Sequence, residues 1–121
     1  MRDRLRILFV CARNQWRSPT AEQVYRQDPR VEVRSAGVSG KSPHAVSTAD
    51  LDWAHLVLAM ERRHLDRIRE AFPGRRDFPP LGSLEIPDDY RFMDPELVEL
   101  VRAGTEPFLT ALPAPRDRER R

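Results

Sequence analysis

The chain has 121 residues, one cysteine and a formal net charge of +2. At this length we expect one domain with its own hydrophobic core, and a single cysteine excludes an internal disulfide and a cysteine-rich structural zinc site. No apolar run approaches the roughly 18 residues of a membrane span, and the basic first residues are not followed by the apolar core of a signal peptide. We therefore expect a soluble, cytoplasmic protein with no membrane partner.

Arginine supplies almost all of the positive charge, since Lys41 is the only lysine among 21 basic residues. Guanidinium groups bind phosphate oxygens in pairs, so partners that carry phosphate are compatible with this composition. The 19 acidic residues are interspersed with the basic ones and leave no long basic stripe for a nucleic acid backbone. We expect residues 1–112 to form the single domain and residues 113–121 to form a basic, disordered tail.

Strand-like and helix-like patterns alternate along the chain. Apolar or alternating runs predict strands over residues 5–10, 31–38, 55–60 and 81–86. The first helix is predicted to have Ser18 as its N-cap and Pro19 as its first residue. Later helices are predicted over residues 47–54, 61–72 and 94–112, the last one bending or restarting near Gly104 and Pro107.

The order of these elements is typical of an α/β fold. We expect a three-layer sandwich in which helices cover both faces of a small parallel sheet of about four strands. Ligands of such sheets bind beyond the carboxyl ends of the strands. Residues 11–18, 36–47 and 86–92 are the segments that should meet there.

Residues 11–18 carry the pattern C-x5-R between the end of the first strand and the start of the first helix. A loop that curls into a helix N-terminus points several backbone N–H groups at one spot, where the helix dipole adds positive potential. Arg17 can close the ring with two parallel hydrogen bonds to phosphate oxygens. We therefore predict a phosphate site made by Ala12, Arg13, Asn14, Gln15, Trp16 and Arg17.

Cys11 is predicted to be a nucleophile, because the field that attracts phosphate also favours its thiolate form. The Ser18 hydroxyl can donate a hydrogen bond to the sulfur. Asn14 is a residue type that tolerates the left-handed backbone of a tight loop. A lone cysteine at a strand end can also be a small buried hydrophobe, but the strand before it and the helix start after it favour the nucleophile.

The loop resembles that of the low-molecular-weight protein tyrosine phosphatases. Val10-Cys11, Asn14 and residues 17–22 are similar to the family pattern C-x-x-N-x-x-R-S-P followed by A-E. Residues 35–37 resemble the S-A-G that ends the family's second strand, and residues 56–61 resemble its third strand and next helix start. The similarity runs in order over nearly the whole chain, which resembles a short bacterial branch of the family.

The resemblance implies a phosphomonoesterase that needs no metal or cofactor and works through a phosphocysteine intermediate. Cys11 would attack phosphorus, while Arg17 and the backbone amides of residues 12–17 would hold the equatorial oxygens. Asn14 and Ser18 would order the loop and stabilise the thiolate.

The resemblance places the general acid in residues 86–90, where the family carries D-P-Y or D-P-W. Asp88 would protonate the leaving oxygen and then activate water. Asp89 stands at the position of the family's proline, so it is the alternative acid. Tyr90 is the single aromatic residue of this loop, where members of the family often have two.

Other differences from the family pattern lie where the substrate is expected to bind. Arg13 replaces a usual glycine, Trp16 replaces a frequent second cysteine, and a helix-sized piece is missing before the third strand. Trp16 can pack under the loop or stack on an aryl or base group. Candidate substrate contacts are Arg13, Trp16, His44, Asp89 and Tyr90. The spacing of His44, His55 and His64 predicts no metal site.

The leading hypothesis is a phosphatase acting on phosphotyrosine in a phosphorylated protein. The same chemistry on a nucleotide or a nucleic acid end is the alternative, motivated by Arg13 and the shortened cleft, although nucleic acid is not favoured. Arsenate reduction is a weaker alternative, because the chain lacks the further thiols which that route uses. A non-catalytic phosphate-binding module is a further alternative. It is disfavoured by Cys11 and Asp88, because binding alone needs neither a thiolate nor an acid.

Overall fold

The computed structural model describes residues 4–111, and its elements follow the predicted alternation. The strands are β1 (Leu5–Cys11), β2 (Val31–Gly37), β3 (Leu56–Ala59) and β4 (Leu81–Ser83). The helices are α1 (Arg17–Tyr25), α2 (Thr48–Trp53), α3 (Arg62–Ala71) and α4 (Pro95–Ala111). The tail predicted at residues 113–121 lies outside the described residues. Within residues 4–111, no helix is both long and apolar enough to cross a membrane.

The four strands form one sheet in the order β2-β1-β3-β4, and every pairing is parallel. The chain therefore leaves β1 in one direction to reach β2 and then returns past β1 to reach β3. Because such crossovers are right-handed, this reversal puts the connecting helices on opposite faces. It also opens a crevice at the carboxyl ends of β1 and β3, where ligands of α/β sheets bind.

Two apolar clusters, one on each face of the sheet, form the core. Ile7 and Phe9 of β1 pack with Tyr25 of α1 and with Leu97 and Val101 of α4. On the other face the neighbouring residues of β1 pack against α2 and α3, through Leu8, Val10, Leu51, Leu65 and Ile68. Successive side chains of β1 thus pack alternately against the helices on one face and on the other. The predicted three-layer α/β sandwich is confirmed.

The predicted start of α1 is wrong. The helix begins at Arg17 with Trp16 as its N-cap, and Thr20 N donates the first helical hydrogen bond to the Trp16 carbonyl at 3.0 Å. Ser18 lies inside the first turn and its hydroxyl contacts Cys11 instead of capping the helix. The helix begins two residues earlier than the Ser-Pro signal indicates, and the side chain of Ser18 belongs to the hydrogen-bond network of the loop.

The last two elements also differ in extent from the prediction. β4 ends at Ser83 rather than at residue 86, and Glu85 has a left-handed φ of 55° that interrupts the ladder. α4 runs unbroken from Pro95 to Ala111 with Pro107 inside it, so the helix does not restart.

Candidate active site

The sulfur of Cys11 is the centre of the loop that joins β1 to α1. Cys11 is the last residue of β1 and is 3% exposed. Its Sγ accepts a hydrogen bond from the backbone N–H of Asn14 at 3.2 Å and lies 3.0 Å from the Ser18 hydroxyl. The sulfur therefore has two hydrogen-bond partners, one from the loop backbone and one from the first turn of α1.

Asn14 supports the loop through its backbone and its side chain. Its φ of 55° is the left-handed conformation predicted for this residue. Its amide nitrogen donates to the hydroxyl of Ser18 at 3.1 Å and to that of Ser35 at 3.0 Å. Ser35 in turn donates to Glu22 at 2.6 Å. Since the Ser18 oxygen accepts from Asn14, its single proton can be donated either to the sulfur of Cys11 at 3.0 Å or to the Ala36 carbonyl at 3.3 Å.

Arg17 is the largest buried side chain and is 2% exposed. Its Nη1 atom donates to the Glu61 carboxylate at 2.5 Å and to the Ile86 carbonyl at 2.7 Å. Its Nε atom lies 3.5 Å from a carboxylate oxygen of Asp88. Both protons of Nη1 are donated to these two acceptors. The edge formed by Nε and Nη2 therefore remains for two parallel hydrogen bonds to an anion.

Glu61 stands at the carboxyl end of β3 and provides the negative charge that fixes Arg17. Hydrogen bonds from Arg63 and then from Arg17 outweigh desolvation and lower the pKa of Glu61 from 4.5 to about 2. Glu61 is therefore a carboxylate throughout the physiological range of pH. Its backbone N–H also donates to Nδ1 of the buried His64 at 3.1 Å.

A cavity of about 100 Å³ opens over the loop. Sites for drug-sized ligands typically measure ~300–1,000 Å³, so this one suits a group of the size of phosphate. Asp88 lies at its rim with 53% of its side chain exposed. The cavity is lined by Cys11, Ala12, Arg13, Gln15, Trp16, Arg17 and Asp88.

Three of the predicted substrate contacts do not line this cavity. His44 is turned toward Asp50, whose carboxylate lies 2.8 Å from its Nε2 atom. Tyr90 donates its hydroxyl proton to Glu96 at 3.0 Å, and Asp89 is exposed on the loop beside Asp88. Arg13 and Trp16 do line the cavity.

The segments expected at this edge of the sheet do meet. Ser39 N donates to the Ala12 carbonyl at 2.9 Å, which ties residues 36–47 to the loop. The contact of Arg17 with the Ile86 carbonyl does the same for residues 86–92. Among residues 4–111, no three His, Cys, Asp or Glu side chains are grouped as metal ligands would be.

Gly37 lets β2 end directly against the loop. A Cβ atom at this position would lie 2.9 Å from the carbonyl carbon of Arg13 and 2.8 Å from Cβ of Ser42. Real Cβ atoms essentially never approach other atoms so closely. The absence of a side chain at Gly37 is therefore a condition for the loop geometry.

Sequence reasoning missed the roles of Glu61, Ser35, Glu22 and Gly37. Each was present in a motif that resembles the family, but no contact was inferred for it. The position of Glu61 directly after a buried parallel strand was a usable signal, because polar residues at strand carboxyl ends face the ligand crevice. The partners of Ser35 and Glu22 become visible only when β2 and α1 are placed side by side.

The comparisons with known proteins agree with this geometry. Residues 6–49 match the family model described as low molecular weight phosphotyrosine protein phosphatase. The chain is 34% identical to the low molecular weight protein-tyrosine-phosphatase Wzb of Escherichia coli K12, over 70% of this chain and 78% of that protein. The chain belongs to this family. It is a family of phosphatases, which are hydrolases.

Two further similarities bear on substrate and fold. The chain is 40% identical to a protein-arginine-phosphatase of Geobacillus stearothermophilus, over 60% of this chain, and it spans 65% of the length of that relative. The crystal structure of the low molecular weight protein tyrosine phosphatase from Streptococcus pyogenes superposes with a TM-score of 0.73 at 19% identity, covering 95% of this chain and 97% of the other. At that identity the second match speaks for the fold alone.

Proposed function

We propose that this chain is a metal-independent phosphatase with Cys11 as nucleophile, and that phosphotyrosine in proteins is its substrate. The observation that carries the proposal is the sulfur of Cys11, which accepts a hydrogen bond from Asn14 N inside a phosphate-sized cavity. Arg17 and Asp88 line the same cavity. A single cysteine that must stay reduced suits the cytoplasm, where we place the reaction.

Substrate binding uses the free edge of Arg17 and the N–H groups of residues 12–17. The phosphate accepts a hydrogen bond from the Nε–H group of Arg17, whose Nε atom lies 3.5 Å from Asp88 before the anion arrives. Asp88, displaced from Arg17 by the anion, takes up a proton from solvent and then faces the leaving group. Nη1 remains hydrogen-bonded to Glu61 and to the Ile86 carbonyl, so the guanidinium does not have to reorient when phosphate binds.

The first chemical step transfers the phosphoryl group to sulfur. The thiolate of Cys11 attacks phosphorus, the bond from phosphorus to the tyrosine oxygen breaks, and Asp88 gives its proton to that oxygen. The free tyrosine side chain leaves. The loop amides and Arg17 stabilise the charge on the equatorial oxygens.

The second step releases phosphate. Asp88, now a carboxylate, takes a proton from a water molecule whose oxygen attacks phosphorus. The bond from sulfur to phosphorus breaks, inorganic phosphate leaves, and Cys11 returns to its thiolate form. The Ser18 hydroxyl, 3.0 Å from the sulfur, stabilises this leaving thiolate.

Phosphoarginine is the second candidate substrate. It is supported by the 40% identity to a relative named as a protein-arginine-phosphatase. In this case the bond that breaks joins phosphorus to nitrogen, and the proton of Asp88 goes to the departing guanidine. The exposed carboxylate of Asp89 beside the rim suits a cationic leaving group. Trp16 on the cavity wall favours the flat ring of tyrosine instead.

The test is hydrolysis of p-nitrophenyl phosphate in the presence of a chelator and a reductant. Wild-type protein should turn over, and Cys11→Ser should not, while inorganic phosphate still protects the variant against thermal unfolding because the amides and Arg17 remain. Rapid alkaline denaturation of the wild type during turnover should trap one phosphoryl group on Cys11. Absence of turnover by folded, reduced wild-type protein would sink the proposal.

The substrate class is decided by matched peptides. One peptide sequence is made with phosphotyrosine and again with phosphoarginine, and a 5′-phosphorylated oligonucleotide is the third substrate. We expect the highest kcat/KM for the phosphotyrosine peptide. A higher kcat/KM for the phosphoarginine peptide would favour phosphoarginine as the substrate, and the proposed role of Cys11 would be unaffected.

A further inference from the structure

Three large apolar side chains are exposed in the described part of the chain, and all of them belong to segments beside the same cavity. Trp16 is 44% exposed, Phe92 is 50% exposed and Met93 is 38% exposed. Trp16 lines the cavity, and the other two follow shortly after Asp88. Single exposed apolar residues need no explanation, but their concentration around one mouth does. We call these three residues the apolar rim.

A single threonine joins the two halves of the apolar rim. The buried hydroxyl of Thr20 accepts a hydrogen bond from Met93 N at 2.8 Å and donates one to the Trp16 carbonyl at 2.7 Å. One hydroxyl group therefore bridges the backbones of Trp16 and Met93. This bridge places the turn that carries Phe92 beside the loop that carries Trp16.

The turn that displays Phe92 and Met93 has an unusual composition. Asp94 N donates to the Arg91 carbonyl at 3.1 Å, which leaves Phe92 and Met93 at the tip of the turn. Glycine, asparagine, aspartate and serine usually occupy such tips, especially where φ is positive. Met93 instead has a φ of 61° with a long apolar side chain. Strain and exposure together at this position point to binding rather than to folding.

We propose that the apolar rim binds an apolar side chain of the phosphorylated substrate protein, close in sequence to its phosphorylated residue. The inference rests on the proposed function, since it requires a phosphorylated side chain in the cavity. A polypeptide whose phosphate reaches Cys11 has to cross the wall formed by Trp16. Its neighbouring residues then lie over Phe92 or Met93, where an apolar side chain is removed from water. The phosphate loop recognises the phosphate, and the rim adds preference for the surrounding sequence.

The experiment compares phosphotyrosine peptides that carry either leucine or serine at each position near the phosphotyrosine. Burial of one leucine is worth about a tenfold difference in kcat/KM or more, so wild-type protein should prefer the best leucine peptide by that factor. Phe92→Ser and Met93→Gly should lose most of this preference. Phe92→Leu and Met93→Leu, the matched controls, should keep it. All four variants should hydrolyse p-nitrophenyl phosphate like the wild type.

Met93→Gly also separates binding from folding, because glycine relieves the positive φ. Its melting temperature should equal or exceed that of the wild type, so a loss of peptide preference cannot come from unfolding. An unchanged leucine preference in Phe92→Ser and Met93→Gly would overturn the inference. So would dimerisation that Phe92→Ser abolishes while the preference stays, because the rim would then join two copies of the chain. If wild-type protein does not hydrolyse p-nitrophenyl phosphate, the proposed function fails instead.

Discussion

Glu61 and Arg17 are 44 positions apart in the chain, and their side chains meet at 2.5 Å between Oε2 and Nη1. The pair joins the carboxyl end of β3 to the first turn of α1. Arg17 is buried, so its direction depends on its acceptors rather than on solvent. The free edge of the guanidinium points into the cavity because the opposite corner is held by Glu61 and by the backbone at Ile86.

Glu61→Gln is therefore expected to impair phosphate binding although Glu61 does not line the cavity. A hydrogen bond to a charged group is worth about 1.5–3 kcal/mol, which corresponds to a loss of roughly 10- to 100-fold in kcat/KM. Steady-state kinetics with p-nitrophenyl phosphate and inhibition by inorganic phosphate measure the effect. Arg63→Met is the matched control, because it removes the other hydrogen-bond partner of Glu61 and leaves Arg17 in place. An equal loss in both variants would contradict a specific role for the Arg17 contact.

Asp88→Asn should slow hydrolysis according to the leaving group. General acid catalysis contributes about 10²- to 10⁴-fold where the leaving oxygen is a poor one, and much less for p-nitrophenolate. The measurement is kcat for a series of aryl phosphates of increasing leaving-group pKa. Asp89→Asn is the control, since its carboxylate does not line the cavity. If Asp89→Asn shows the steeper dependence, the acid has been assigned to the wrong neighbour.

Gly37→Ala should destabilise the protein and distort the phosphate loop. The added Cβ would meet the backbone of Arg13, which cannot give way without moving the loop. Overpacking of this kind costs about 1–3 kcal/mol, visible as a lower melting temperature together with reduced turnover. Gly40→Ala has nothing within 4 Å of the added atom, so it should leave both quantities unchanged. Equal behaviour of the two variants would contradict the predicted clash.

His64 should make stability depend on pH. Burial, and then the charge of Arg17, lower the pKa of His64 from 6.5 to about 4, and its Nε2 atom has no hydrogen-bond partner among the described residues. The unfolded chain therefore takes up a proton in a range where the folded chain does not. The free energy of unfolding should fall, on the order of 3 kcal/mol, as pH decreases from 6.5 to about 4.

Chemical denaturation at a series of pH values measures this dependence. His64→Asn is the matched variant, because its side chain can still accept the hydrogen bond from Glu61 N without titrating. Its stability should change less over the same range. A wild-type curve that stays flat between these values would show that His64 is not buried in its neutral form.

Local chemistry made part of the site predictable. A buried strand, an asparagine that tolerates positive φ and a helix start define the loop within a few consecutive residues, and Asn14 has the expected φ of 55°. The start of α1 was misplaced because a Ser-Pro pair is a general helix signal. The contact between the Ser18 hydroxyl and the sulfur of Cys11 was predicted and is present at 3.0 Å, and a serine used in this way does not cap the helix.

The sequence by itself determined the order of strands and helices along the chain and the loop between β1 and α1 that carries Cys11 and Arg17, because these depend on periodicity and on neighbouring residues. Only the tertiary structure decided which side chains complete the site. Glu61 contacts Arg17, and Gly37 packs against the backbone of Arg13. Thr20 is hydrogen-bonded to the backbones of both Trp16 and Met93. Such contacts join distant parts of the chain and depend on the reversal of the chain at β1, which no local pattern encodes.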